Sequence, residues 1–187
     1  MNIPLGSTGG TEFDEYDEFV PEHIPEPGPS LDGHDVLTGE DHVEFHEITS
    51  ELFEERGVYD ATFGYNLARL NLDTRHTDAG YRYAESSEEA GVLIAEFTPT
   101  TEFCPQSLAL VKGSFRAWND LRERHDYDLV RVRVDDLHHR NSTINHKLSD
   151  FETRFRESGE LPGPGGSALG DTGVPSEEGY DDAGLPF

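Results

Sequence analysis

Residues 92–121 change period midway, and that change limits the folds open to the chain. Val92-Leu93-Ile94-Ala95-Glu96-Phe97 is rich in β-formers and has the length of a buried strand. Thr98-Pro99-Thr100 ends it. From Pro105 onward Leu108, Val111, Phe115, Trp118 and Leu121 recur at three- and four-residue spacing. That spacing predicts an amphipathic helix with a wide apolar face, and proline suits its first turn. A strand that feeds a helix with one apolar stripe calls for a layered α/β domain.

The neighbouring segments fit such a domain. Thr38 and Asp41 stand in capping-box spacing, and Phe45, Ile48, Leu52 and Phe53 share the face of the helix that follows. Gly57 is placed to end it. Leu70 and Leu72 suggest a short strand, and Tyr81 and Tyr83 begin a second extended segment. Glu88-Glu89-Ala90-Gly91 reads as a turn. Val130, Val132 and Val134 alternate with Arg131, Arg133 and Asp135, as in a half-buried strand. Asn141 or Ser142 can cap a last helix, on which Ile144, Leu148, Phe151 and Phe155 share a face. The expectation is a small two-layer α/β (α+β) domain over residues 38–159, in the order α-β-β-α-β-α. Residues 1–37 and 160–187 read as disordered acidic tails, the second rich in glycine and proline, because few apolar groups offset the entropy of ordering. Within the first, Phe13, Tyr16 and Phe19 recur at three-residue spacing and offer an alternative, a short helix that docks on a partner.

Charge narrows the partners. The net charge is −25, yet no Lys or Arg precedes Arg56 or follows Arg156. Such a chain repels nucleic acid and anionic membrane surfaces. The two lysines, Lys112 and Lys147, stand against 12 arginines, and high acid with little lysine suggests adaptation to high salt. One cysteine leaves no intrachain disulfide and fits a reducing, cytoplasmic setting. No basic leader or long apolar run is evident at Met1-Asn2-Ile3-Pro4-Leu5-Gly6.

Cys104 is the candidate reactive group. At the start of a helix the free N–H groups and helix dipole favour a thiolate, which is a nucleophile and a soft metal ligand. The competing reading is a small buried apolar residue. Thr98, Pro99 and Thr100 end the strand nearby, and their hydroxyls and N–H groups fit either an anion pocket or ordinary turn chemistry. His138 follows a strand and is either a second ligand or, with His139, part of a solvated loop. His42 and His46 are one turn apart, a zinc-compatible spacing, but no third ligand accompanies them, so they read as a solvated face.

Phe97-Thr98-Pro99-Thr100, three residues, then Cys104-Pro105 resembles the signature of the MIP18 (DUF59) family of iron–sulfur cluster assembly proteins. His138, Ile144, Asn145, Asp150 and Glu152 fall at the spacings of that family's second cluster, whereas Leu137, Asn141 and Phe151 depart from it. The resemblance spans roughly residues 40–155. It implies a non-enzymatic cluster assembly or transfer factor. Cys104 and His138 would then contact an iron–sulfur cluster or iron, and Thr98, Pro99, Thr100 and Asn145 would shape the pocket. It also implies cluster-assembly or recipient proteins as partners and allows a homodimer, since one cysteine cannot complete a four-thiolate set. The alternative is a protein–protein adaptor that kept the fold without metal chemistry. A thiol-dependent enzyme ranks third, because no oxyanion or substrate motif accompanies the Cys-His pair.

Overall fold

A computed structural model describes residues 12–15 and 19–163. Its centre is a four-stranded sheet, in the order β1 (Asp35–Val36), β4 (Gly80–Glu85), β5 (Val92–Thr98), β6 (Leu129–Val134). The first two pairings are antiparallel, and β5 pairs with β6 in parallel. A parallel neighbour needs a crossover, and α2 (Ser107–Asp120) supplies it. Helix α1 (Gly39–Arg56) precedes a two-stranded ribbon of β2 (Tyr59–Asp60) and β3 (Tyr65–Asn66). Helix α3 (Asn141–Ser158) closes the domain beside β6. The protein is thus a small mixed α/β domain. The order adds the edge strand β1 and the β2–β3 ribbon to the expected series, and Leu70 and Leu72 lie in a 3-10 turn, Leu67–Leu72, instead of a strand.

The main core fills the space between one sheet face and the helices. Leu93, Ala95 and Phe97 of β5 meet Phe53 of α1 and Phe115 and Trp118 of α2 in a single buried cluster. The α1 stripe includes polar members: His42, His46 and Thr49 are buried along with Phe45, Leu52 and Phe53. This corrects the solvated-face reading of the two histidines. His46 donates from Nε2 to the Ala68 carbonyl at 2.7 Å, which leaves Nδ1 to accept from the Tyr83 hydroxyl at 2.7 Å. The Trp118 indole donates to Thr49 Oγ1 at 3.0 Å. His46, Tyr83, Thr49 and Trp118 thus answer one another's polar groups, as burial in a low-dielectric interior demands.

The opposite sheet face is covered by the chain before α1, so the ordered domain begins well before residue 38. Leu31 packs on Ala84 and Ile94. The Gly28 and Ser30 amides donate to the buried Glu96 carboxylate at 2.6 and 2.9 Å. A side chain at Gly28 would collide with Asp135 and Glu96, so only glycine brings the backbone this close. Phe13 stands edge-on to Tyr65 and lies under the Arg69 guanidinium, while Phe19 lies against His42. A disordered tail through residue 37 is therefore replaced by a structural segment. Tyr16, residues 1–11 and residues 164–187 lie outside the described residues.

Three asparagines complete the sheet where strand pairing stops. Asn71 accepts from the Tyr81 N–H and donates to the Tyr81 carbonyl, and Asn119 does the same for Val130. Asn145 does it for Val134. A carboxamide offers one acceptor and one donor side by side, as a neighbouring strand would. Glycine at position 80 leaves room for the first of them, since a Cβ there would strike the Asn71 amide.

Candidate functional site

Cys104 lies on the loop between β5 and α2, three residues before the helix begins at Ser107. It is half-buried and free. Its carbonyl accepts from the Ser107 amide at 3.4 Å and from His138 Nε2 at 3.0 Å. The other ring nitrogen of His138 accepts from the Arg140 amide at 3.1 Å. Both nitrogens are committed, so His138 is a buried pin that ties the loop after β6 to the loop before α2. The expected ligand role would require one of these bonds to be given up, and the solvated-loop reading does not hold for His138, which is 3% exposed. His139, by contrast, is exposed; its amide and its Nδ1 both donate to the Glu102 carbonyl, at 3.0 and 2.8 Å.

The two pinned loops form a notch. A cleft of about 230 Å³ opens between them and the first turns of α3, with Cys104, Leu108 and Ile144 on its apolar side. Arg140 and Lys147 stand at its rim, and neither has a carboxylate partner among the described residues. Phe103 projects beside it, 67% exposed, with its ring against His139 at 4.9 Å. Leu137, in the same loop as His138, is 44% exposed.

The other expected site residues are elsewhere. Thr98 is buried at the end of β5 and pairs with Gly80 in the ladder. Thr98, Pro99 and Thr100 do not line the notch. Asn145 is spent on the edge of β6. Glu152 holds an ion cluster: Arg131 reaches both of its carboxylate oxygens from Nε at 3.1 Å, and Arg133 and Arg156 reach it at 3.2 and 3.0 Å. Burial alone would raise the Glu152 carboxyl, but these guanidinium groups hold it below its usual range. Asp150 is exposed one turn from His146. Among the described residues, no group of three or more His, Cys, Asp or Glu side chains is placed to hold a metal ion.

A second, larger hollow of about 690 Å³ lies between α1, the β4–β5 turn and residues 123–127. Asp41, Glu44, Glu85 and Asp126 rim it, with Phe45 and Tyr127 below. Its acidity matches the chain as a whole, whereas the basic rim of the notch departs from it.

The chain belongs to the family described as Domain of unknown function (DUF7998), whose model matches residues 11–162. That span coincides with the described fold and includes the segment before α1. No curated protein matches, and no solved structure does. The family is unrelated to MIP18, so the resemblance read from Phe97-Thr98-Pro99-Thr100 and Cys104-Pro105 is overturned. The motif is short, and two of its residues have local duties here: Thr98 in the ladder, and Cys104 as the acceptor of the His138 pin.

Proposed function

We propose that the protein is a non-catalytic protein–protein adaptor whose docking surface is the notch at Phe103, Cys104 and Lys147. One observation carries this reading. A chain of net charge −25 presents two cations without a carboxylate partner among the described residues, Arg140 and Lys147, beside an exposed phenylalanine and an apolar cleft. Aromatic and cationic side chains beside a desolvated pocket are the usual anchors of protein interfaces. The expectation of cluster transfer now stands on Cys104 alone, since the family that suggested it is set aside and His138 is committed elsewhere. The lone thiol fits a reducing compartment, and among the described residues no helix is long and apolar enough to cross a membrane.

The test is affinity capture with the full chain at native salt, without oxygen, using wild type, a Phe103→Asp/Lys147→Glu double variant, and Cys104→Ser. A partner lost with the double variant and retained by Cys104→Ser supports the adaptor. Unchanged capture by the double variant sinks it. Iron that co-purifies with wild type and is lost in Cys104→Ser would favour cluster transfer instead.

A further inference from the structure

The notch stands out by what its walls lack. Residues 103–119 and 137–149 are the two longest stretches of the chain without Asp or Glu, and between them they supply its lining. Both lysines of the chain fall within them. Residues 176–187 carry the reverse pattern. Glu177, Glu178, Asp181 and Asp182 surround Tyr180, and Leu185 and Phe187 follow. Paired carboxylates beside apolar anchors match paired cations beside an apolar cleft.

We propose that residues 176–187 of the same chain occupy the notch, with Asp181 and Asp182 against Arg140 and Lys147 and with Leu185 and Phe187 against Phe103 and Leu108. This rests on the reading of the notch as a protein-docking surface. The span is sufficient. The notch lies at the start of α3, and the described chain leaves beyond its far end, at Gly163. Eighteen helical residues are about 27 Å long. Residues 164–175 can extend roughly 40 Å. Tethering makes the encounter intramolecular, at an effective concentration on the order of millimolar, so modest contacts suffice. At about 1 M salt the screening length is about 3 Å, and the apolar anchors then carry most of the contact. A partner must displace this segment or resemble it, which defines the partner class as an acidic, aromatic-containing peptide.

Cys104 lines the notch and is the chain's one thiol, so its alkylation rate reports occupancy. The experiment compares full-length wild type with Leu185→Ser/Phe187→Ser and Asp181→Lys/Asp182→Lys double variants. These positions lie outside the described residues, and circular dichroism of each variant checks that its fold is that of wild type. Both variants are expected to alkylate roughly two- to tenfold faster than wild type, as a tethered contact of this strength opens. A synthetic peptide of residues 176–187 should slow the Leu185→Ser/Phe187→Ser chain again. Protection of wild type should not depend on protein concentration. Equal rates in all three chains overturn the proposal, and concentration-dependent protection overturns it in favour of a second copy. If the rates are equal while Phe103→Asp/Lys147→Glu still abolishes capture of a partner, the notch docks another occupant. If that capture is also unchanged, the docking reading falls too.

Discussion

The side chain of Asn145 closes the edge of β6 at Val134, accepting its N–H at 2.7 Å and donating to its carbonyl at 2.9 Å. This duty is structural and separate from the notch. Asn145→Ala leaves two edge groups without their partner. Each lost bond is worth about 1 kcal/mol, and more where water cannot replace it. The variant should lose about 1–3 kcal/mol in urea titration, with partner capture unchanged at full folding. No loss of stability would mean that the edge is satisfied by water.

Acid should unfold the protein through α1. Burial, then the neighbouring His46 and Arg82, push His42 down to about 3, and burial pushes His46 down to about 4. Both histidines titrate near 6.5 once unfolded. The unfolded chain therefore binds protons that the folded chain refuses. The stability from this source is complete above about pH 6.5 and is lost as pH falls toward 4 and then 3. His42 Nδ1 is buried without a hydrogen-bond partner among the described residues, so His42→Phe removes a titrating group and none of the described bonds of that atom. Its acid midpoint, followed by circular dichroism, should move to lower pH. An unmoved midpoint would show that these histidines do not govern acid unfolding.

The Glu152 cluster clips α3 to β6. Arg131, Arg133 and Glu152 are mostly buried, with side-chain exposures of 16%, 20% and 9%. Removing the anion leaves Arg133 without a carboxylate partner among the described residues and Arg131 with Glu89 alone, at 2.7 Å, in a poorly solvated place. Glu152→Ala should cost about 3 kcal/mol or more, whereas Glu157→Ala, on the exposed side of the same helix, should cost less than about 0.5. Equal, small effects would mean that the cluster is well solvated.

The segment before α1 should be part of the cooperative unit. Leu31 is 2% exposed against Ala84 and Ile94. Leu31→Ala should lower stability by about 2–5 kcal/mol in a single transition. A change below about 0.5 kcal/mol would return this segment to the status of a tail.

How far the sequence revealed this domain depended on where the contacts lie. The β5 run, the β6 alternation and the stripes on α1, α2 and α3 were legible because each repeats within a few residues. The segment before α1 was not. Its apolar residues are isolated among proline, glycine and acid, and its partners are remote: Gly28 meets Glu96, and Phe13 meets Arg69. His42 and His46 looked solvated because a stripe counted only in apolar residues leaves out polar groups paired inside, as His46 is with Tyr83 and Ala68. The asparagine clamps follow no period. At the notch, Cys104 and His138 were rightly singled out as neighbours across two loops. Ring nitrogens already committed to backbone leave no trace in composition, so the structural role of His138 was invisible. Phe103 could have been found, since it is a large aromatic in a loop beside the basic, acid-free stretch at 137–149.

The most direct measurement is the affinity of a captured partner for the full chain, by calorimetric titration at native salt without iron, using wild type, Phe103→Asp and Cys104→Ser. Docking through the notch predicts that Phe103→Asp weakens binding by about tenfold or more, near 1.4 kcal/mol, as for an interface anchor. Cys104→Ser should bind within about twofold of wild type, since the exchange keeps the shape of the side chain. Wild-type affinity in Phe103→Asp, or binding that vanishes in Cys104→Ser and returns only with iron, would contradict the adaptor reading.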